Sequence, residues 1–357
     1  MPEIISVSKI DLPHKCSQSD LKNFAKETFS GKFNDIDRLL ESFDNAMIDS
    51  RNLCVPVDYF HSHKTFKQKN DLFIELSLEY TTEAIEQCLI KSGIDKKEIT
   101  DIVLVSSTGI STPSMDALII NKMRLDPNIN RYPIWGLGCA GGVSGIAKAN
   151  TIAKADPYAL VAVVSVELCS LTFLRNDVSK SNFIATGLFS DGIAAVFIKG
   201  DKFKNSKEQS FKLNILDSQS KLYYDSLDVM GWEILDEGFK VVFSKDIPNI
   251  VNQNVKGDIL SFLGKHNLSI DEIKNFVTHP GGIKVINAYL DALNIDPHFM
   301  DNTKEVLREY GNMSSATVLY VLDRFIEKGF KSGKGLMMSL GPGFSSEMVL
   351  LDLITNY

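Results

Sequence analysis

The sequence predicts an α/β protein made of two similar halves, and three observations support this expectation. Short runs of β-branched residues alternate with segments whose apolar residues recur at helical spacing. The chain of 357 residues is long enough for about two domains of roughly 150 residues each. Its second part repeats the order of strand, turn and helix found in its first part. We place the boundary in the polar stretch DKFKNSKEQ, which gives halves of residues 1–205 and 206–357.

In the first half, the apolar runs DIVLVSST (101–108) and ALVAVVSVE (159–167) predict buried strands. RYPIWGLG (131–138) predicts a third strand, which ends in glycines. VSGIAKANTIAKAD (143–156) has the spacing of a helix, and Pro157 ends it because proline cannot continue a helix. This alternation favours units of a parallel sheet.

The second half follows the same order. KNFVTH (274–279) predicts a strand, and IKVINAYLDAL (283–293) predicts an amphipathic helix. SSATVLYVLDRFIEKG (314–329) predicts another helix, which Ser314 or Ser315 would cap. The closing segment, KGLMMSLGPGFSSEMVLLDLI, predicts two strands on either side of a Gly-Pro-Gly turn.

Composition limits the class of protein. Apolar residues make up 44% and charged residues 23% of the chain, the balance of a soluble globular protein. The net charge of −7, without a basic stretch, argues against binding to nucleic acid. Five scattered cysteines without a CxxC pair favour free thiols in a reducing compartment, which we take to be the cytoplasm. We expect no secretory signal, membrane span, metal site or bound cofactor.

Cys139 is the first candidate for chemistry, because it lies between a predicted strand and a predicted helix in GLGCAGGVSG. A thiol at the N-terminus of a helix meets the positive end of the helix dipole and free N–H groups, and both favour the thiolate. The same N–H groups could hold an oxyanion. The glycines at 138, 141 and 142 leave room for an acyl group to approach.

His279 and Asn312 lie at two further junctions of this kind. His279 ends a predicted strand and is followed by Pro-Gly-Gly, at the edge where open α/β sheets build their sites. Asn312 lies in YGNMSS, where a helix cap is its ordinary explanation. A cysteine, a histidine and an asparagine in this order also occur in papain-type proteases, and the spacing of 279 − 139 = 140 residues fits them. The string around Cys139 does not match those proteases, which disfavours the hydrolase.

Four strings, in their order and separations, resemble the type III polyketide synthases, the chalcone synthase family. A further string, MGWEILDEGFKVVFSKDIP, resembles their bacterial branch. The resemblance covers nearly the whole chain and implies a thiolase-like fold, a homodimer with one site per subunit, and coenzyme A thioesters as substrates. The four strings are GLGCAGGVSG, THPGGIKVI, YGNMSSATV and LGPGF.

The resemblance also implies roles for individual residues. Cys139 would hold the growing acyl chain as a thioester, and His279 would help keep this cysteine ionised. His279 and Asn312 would bind the thioester carbonyl of malonyl-CoA and stabilise the enolate that remains after decarboxylation. Phe189, in LFSDGIAA, would be the gatekeeper between the pantetheine tunnel and the acyl cavity.

Other positions would shape the site or bind coenzyme A. Val241 stands where plant enzymes carry a second gatekeeper phenylalanine, so we expect a widened cavity, and Thr112 would meet the partner subunit. The expected cavity residues are Ser107, Cys169, Trp232, Val241, Gly281, Gly282, Ser314, Gly341 and Pro342. The candidates for binding the phosphates of coenzyme A are Arg51, Lys245 and Lys284.

These features lead us to expect a fatty acyl-CoA starter, few malonyl extensions and an alkylpyrone or alkylresorcinol product. The alternatives are a malonyl-primed synthase of the tetrahydroxynaphthalene type and an initiating ketoacyl-carrier-protein synthase. A thiolase-fold protein that only binds acyl-CoA, without catalysis, is the alternative from another class.

Overall fold

A computed structural model describes residues 1–205, 207, 211–244 and 247–355, without the side chains of 248, 249, 252 and 253. The described strands are β1 (Glu3–Lys9), β2 (His14–Ser17), β3 (Ser50–Leu53), β4 (Asp101–Ser106), β5 (Asn130–Trp135), β6 (Leu160–Leu168), β7 (Asp191–Lys199), β8 (Phe211–Leu222), β9 (Met230–Leu235), β10 (Gly238–Phe243), β11 (Ile273–Thr278), β12 (Gly333–Gly341) and β13 (Ser345–Thr355). The described α-helices are α1 (Gln18–Phe29), α2 (Ile36–Asp44), α3 (Phe66–Ser92), α4 (Met115–Met123), α5 (Gly141–Ala155), α6 (Lys180–Leu188), α7 (Ile247–Ile250), α8 (Lys256–Gly264), α9 (Ile283–Leu293), α10 (Asp301–Tyr310) and α11 (Thr317–Lys328).

In the described part of the chain, nine strands form one mixed sheet in the order β11-β12-β13-β8-β1-β7-β6-β4-β5. The order β4-β6-β7-β1 repeats as β11-β12-β13-β8, and in both series the pairings run parallel, antiparallel and antiparallel. The two series meet in a short pairing of β1 with β8. The fold therefore has the two similar α/β halves that the sequence predicts, while the boundary at residue 205 stays a prediction.

The expected parallel units are confirmed within a sheet that is mixed as a whole. Strands β5, β4 and β6 pair in parallel in the first series, as do β11 and β12 in the second. The antiparallel pairings arise because the chain enters β7 and β13 from the opposite end of the sheet.

Three apolar cores separate the layers of the fold. Along β6, Ala162 and Val164 face the core that contains α3, whereas Val161 and Val163 face the core that contains α5 and α11. The same middle core takes up one face of β12 and β13, and the other face of these strands packs on α8 and α9. Helices α5 and α11 therefore lie between the two parts of the sheet. Strands buried on both faces need apolar residues at successive positions, which explains the continuous run in β6.

Helices α5 and α11 approach each other closely at their N-terminal ends. A Cβ atom on Gly142 would lie 2.2 Å from the carbonyl oxygen of Ser315 and 2.8 Å from Cγ1 of Val318. No side chain fits in this space, so glycine at position 142 is what allows the contact. This approach brings the loop before α5 next to the loop before α11.

The predicted helices at 283–293 and 143–156 are confirmed as α9 and α5, but the predicted cap of α11 is wrong. A short 3-10 turn over Ser314–Ala316 precedes α11, and neither serine caps the helix. Ser315 instead uses its hydroxyl in bonds to β6, as described below. Within the described residues, no helix combines the length and the apolar character needed to cross a bilayer.

Candidate active site

Cys139 lies in a 3-10 turn, Gly138–Ala140, which leads directly into α5. Gly138 has φ +45°, and its N–H donates to Oγ of Ser107 at 2.9 Å. A Cβ atom on Gly138 would lie 2.7 Å from the ring of Pro342. The loop thus requires glycine for its backbone angle and for its contact with the β12–β13 turn.

The turn between β12 and β13 supports the cysteine loop from behind. A Cβ atom on Gly341 would lie 2.5 Å from the carbonyl oxygen of Leu137 and 2.5 Å from Cβ of Ala140. The Gly-Pro-Gly string, predicted at the cavity border, therefore packs on the backbone that carries Cys139.

Asn312 connects the cysteine loop to the loop after His279. Its Oδ1 lies 3.9 Å from Sγ of Cys139 and accepts a hydrogen bond from the N–H of Ser314 at 2.8 Å. Its Nδ2 donates to the carbonyl of Gly281 at 3.4 Å. The bond to Ser314 is the local, cap-like bond that asparagine often makes. The second N–H of the amide remains available for a ligand.

His279 follows β11, and its backbone N–H donates to the carbonyl of Met338 at 2.9 Å. The side chain is buried, yet neither ring nitrogen has a hydrogen-bond partner among the described residues. Burial lowers the pKa of His279 to about 3, so the imidazole is neutral at physiological pH. Buried polar groups are normally paired, and an unpaired imidazole beside Asn312 and Gly281 indicates a place for a ligand.

Burial acts against ionisation of Cys139. It raises the pKa of Cys139 to about 12, although side-chain hydrogen bonds with Ser314 and Asn312 lower it. The nearby carboxylate of Glu167 raises this pKa further. In the site without substrate, the thiol of Cys139 is therefore neutral. That the helix dipole and His279 ionise this cysteine stays a prediction.

Glu167 joins three segments around the site, and the sequence analysis did not single it out. Its carboxylate accepts hydrogen bonds from the N–H of Ser107 at 3.0 Å, from Oγ1 of Thr108 at 2.9 Å and from Oγ of Ser315 at 2.5 Å. The side chain is fully buried, and burial raises the pKa of Glu167 to about 7 despite these donors. The sequence did carry one indication of this role, because Glu167 is the single acidic residue at the carboxyl end of the apolar run ALVAVVSVE.

A mostly apolar cavity of about 60 Å³, with a mouth open to solvent, lies beside this site. It is lined by Phe189, Cys169, Trp232 and Val241, all of which were predicted cavity residues. The rings of Phe189 and Trp232 lie 6.3 Å apart between centroids. Phe189 stands next to Asn312, since the two residues form an isolated β-bridge. Cys139, His279 and Asn312 are absent from its lining, and the gatekeeper role of Phe189 stays a prediction.

The deep walls of the cavity come from segments that no motif marked. Phe24 of α1 packs against Phe60 and Phe173 with ring centroids 6.3 and 5.7 Å away. Phe243 contacts Phe189 at 5.5 Å. Ser107 is absent from the described cavity lining; its hydroxyl accepts from Gly138 and so supports the cysteine loop. The prediction that Ser107 shapes the cavity is therefore corrected.

Arg51 does not fit its predicted role as a phosphate ligand. Only 1% of Arg51 is exposed, and its guanidinium donates to the carbonyls of Thr186 and Phe189 and to Oε1 of Gln18. A residue enclosed in this way has no surface with which to meet a phosphate of coenzyme A.

The remaining predicted residues lie at several places. Lys284 is exposed in the first turn of α9, directly after Gly281 and Gly282. Thr112 is exposed in the loop between β4 and α4. Lys245 lies outside the described residues.

The fold and the site together define a condensing enzyme of the thiolase-like class: two α/β halves, a cysteine and an asparagine in the loops before the two central helices, and a buried histidine whose ring has no partner among the described residues. Residues 42–202 match the N-terminal domain of the chalcone and stilbene synthases, and residues 215–355 match their C-terminal domain. The chain belongs to this family. It is a type III polyketide synthase, and enzymes of this class are acyltransferases that use coenzyme A thioesters.

Individual relatives and solved structures agree with this assignment. The chain is 43% identical to a protein of Bacillus subtilis (strain 168) that is named after chalcone synthase, over 99% of both chains. It is 33% identical to the 1,3,6,8-tetrahydroxynaphthalene synthase of Streptomyces peucetius subsp. caesius, over 95% of this chain and 90% of the relative. The crystal structure of the 1,3,6,8-tetrahydroxynaphthalene synthase of Streptomyces coelicolor A3(2) matches with a TM-score of 0.93 and 25% identity, over 99% of both chains.

Replacing Glu167 by glutamine tests the buried carboxyl. The pKa of about 7 in the folded protein lies above the value of about 4.3 for an exposed glutamate. The protonated carboxyl therefore contributes stability that is complete below about pH 4 and is lost as the pH rises through about 7. We compare the free energies of unfolding of the wild type and of Glu167→Gln. The difference, wild type minus variant, should fall by roughly 3 kcal/mol between about pH 4 and about pH 7.

Urea unfolding at a series of pH values measures this difference. The variant Glu86→Gln, which changes an exposed glutamate of α3, is the matched control. A difference between wild type and Glu167→Gln that stays constant with pH would contradict the raised pKa.

Proposed function

We propose that this protein loads a fatty acyl group onto Cys139, extends it with malonyl-CoA and releases an alkylpyrone or alkylresorcinol. The observation that carries the proposal is the apolar cavity behind Phe189, whose lining includes Leu21, Phe24 and Phe60. Ligand sites take up the parts of a molecule that match their lining, and an aliphatic chain matches this one.

In the loading step, the sulfur of Cys139 attacks the thioester carbonyl of the starter, and coenzyme A leaves as the thiol. The thiol proton of Cys139 must leave for this attack, and His279 is the proposed acceptor. Its neutral imidazole, without a partner among the described residues, has a free lone pair for this proton.

In the extension step, malonyl-CoA loses carbon dioxide and leaves an enolate, whose carbon attacks the thioester carbonyl on Cys139. The bond between this carbonyl and the sulfur breaks, Cys139 leaves as the thiolate, and coenzyme A carries the extended chain. We assign the N–H groups of His279 and Asn312 to the enolate oxygen. A neutral imidazole still has one N–H to donate, and the amide of Asn312 has one N–H beyond its bond to Gly281. Donors placed before the charge develops stabilise it without reorganisation.

A second candidate is a malonyl-primed synthase that makes a tetrahydroxynaphthalene-type product. Several relatives carry the name 1,3,6,8-tetrahydroxynaphthalene synthase, and Cys169 in the cavity wall fits that candidate as well. The two candidates differ in the starter, so an assay with malonyl-CoA alone separates them.

We assign Lys284 to the phosphates of coenzyme A, because it is exposed and follows Gly281 and Gly282 near His279. Lys245 stays a further candidate. Five free cysteines support a reducing compartment, and we propose that the protein acts in the cytoplasm.

We also propose a homodimer that forms at β5. This strand is an edge of the described sheet, and Tyr132 and Trp135 on it are 39% and 46% exposed. Unpaired strand edges are templates for association with a second chain. In such a dimer, Thr112 in the loop after β4 would approach the partner's site.

The nucleophile is tested by substitution of Cys139. Cys139→Ala should lose all chain extension because no thioester can form, while Cys139→Gln should keep malonyl-CoA decarboxylation because its amide imitates the acylated state. Asn312→Ala should slow decarboxylation about 100- to 1000-fold through the loss of one donor. Product and carbon dioxide are measured, with Cys88→Ala of α3 as the control. Wild-type extension by Cys139→Ala would refute the assignment.

The starter is tested by Val241→Phe. The added ring should fill the cavity and shorten the accepted chain. If the new ring prevents the burial of two methylenes of the long starter, each costs about 0.8 kcal/mol. The preference for palmitoyl-CoA over hexanoyl-CoA, measured as the ratio of their kcat/KM values, should then fall about tenfold. Val242→Phe is the control, since neighbouring residues of a strand face opposite sides. A wild-type enzyme that forms an aromatic product from malonyl-CoA alone and ignores both starters would favour the second candidate.

The dimer is tested by Tyr132→Glu. A charge at this edge should weaken pairing, so we expect the wild type to sediment as a dimer and the variant to shift toward the monomer. Tyr224→Glu changes a tyrosine that is 94% exposed elsewhere and should leave the dimer intact. Monomeric wild type, or equal sedimentation of both variants, would argue against an interface at β5.

A further inference from the structure

The C-terminal end of α6 carries Phe189 and is tied to the loop of Asn312. The last four carbonyls of a helix have no partner within the helix. Here the carbonyl of Leu188 accepts from the N–H of Asn312 at 3.0 Å, and the N–H of Ser190 donates to the carbonyl of Asn312 at 2.9 Å. The position of Phe189 therefore depends on how this helix end is held.

Arg51 supplies the other side of this attachment. Its Nη1 donates to the carbonyl of Thr186 at 2.7 Å and to the carbonyl of Phe189 at 2.8 Å, while Nη2 donates to Oε1 of Gln18 at 2.7 Å. One nitrogen thus joins the last turn of α6 to the backbone of the gatekeeper. The planar fork of arginine makes this pattern possible, whereas a lysine ammonium has no fixed geometry of this kind.

Gln18 completes the group. Its Nε2 donates to the carbonyl of Gly187 at 3.0 Å and to the carbonyl of Phe43 at 3.1 Å. Gln18 therefore supports the helix end and holds Arg51 in place.

Arg51 is an unusual residue to bury. Burial lowers its pKa to about 10, while the charges of Cys16 and of the Asp191 carboxylate raise it. The positive charge also meets the negative end of the α6 dipole and two backbone carbonyls. A buried charge costs free energy unless it is well paired, so stability alone is a weak reason to keep arginine here.

We propose that Arg51 is a positioning residue, which holds the backbone of Phe189 so that its ring stays between the cysteine site and the acyl cavity. Arg51 also lines the cavity, but its polar atoms are engaged with Thr186, Phe189 and Gln18, so its effect on the reaction passes through Phe189. This inference rests on the proposed synthase chemistry, in which Phe189 limits the passage between the two spaces.

A double-mutant cycle tests whether Arg51 acts through Phe189. Arg51→Lys keeps the charge but loses the fork, and it should lower kcat for condensation about 10- to 100-fold because small misplacements of a site residue are costly. In a Phe189→Ala background, the same substitution should have little further effect on kcat, since the group it positions is gone. Additive losses in the double variant would overturn the proposal.

Ser179→Ala is the control for helix stability. It removes the N-cap of α6, at the end away from Phe189, and should lower Tm, as Arg51→Lys does, while kcat stays close to that of the wild type. A loss of kcat in Ser179→Ala equal to that in Arg51→Lys would show that only the stability of α6 matters. If Arg51→Lys does not fold, Arg51→Gln, which keeps one neutral donor for the Phe189 carbonyl, takes its place in the same cycle.

The cycle is run with whichever starter the wild type accepts, and malonyl-CoA decarboxylation is followed in parallel. A wild type that refuses fatty acyl-CoA would therefore refute the proposed starter and still leave the cycle measurable. Coupling between Arg51 and Phe189 in that assay would support the positioning role, and independence would refute it.

Discussion

The close approach of α5 and α11 is the constraint on which the site depends. Gly142 allows the backbone of Ser315 to enter the space that a side chain would occupy, and the two helices bring the loops of Cys139 and Asn312 together. Ser315 then donates to Glu167, which also holds the turn of Ser107 and Thr108. A single buried carboxyl therefore holds segments from both halves, and the geometry of the site depends on the packing between those halves.

Buried polar groups at and near the site differ in their hydrogen bonding. Glu167 and Arg51 are enclosed, but their hydrogen-bonding groups are largely paired with backbone, amide and hydroxyl partners. His279 is equally enclosed, yet both nitrogens of its ring are unpaired among the described residues. Because an unpaired buried polar group is costly, His279 gains most from a ligand that completes its bonding.

The apolar cavity is lined by other residues than the polar site. Phe189, Trp232 and Val241 line it, whereas Cys139, His279 and Asn312 are absent from its lining. Part of the wall comes from α1, which lies outside the matched range of residues 42–202.

Local sequence determined the elements and the reacting groups of this protein. The helix at 283–293, the strand at 274–279 and the junctions of Cys139, His279 and Asn312 follow from periodicity, turn residues and motifs, which act over a few neighbouring residues. Tertiary structure alone decided that Arg51 is buried, that Ser107 supports a loop, that Glu167 joins three segments and that Phe24, Phe60 and Phe173 form a cavity wall. Burial raises the pKa of Cys139 and lowers that of His279, and burial depends on residues that are distant in the chain and meet only when both halves pack.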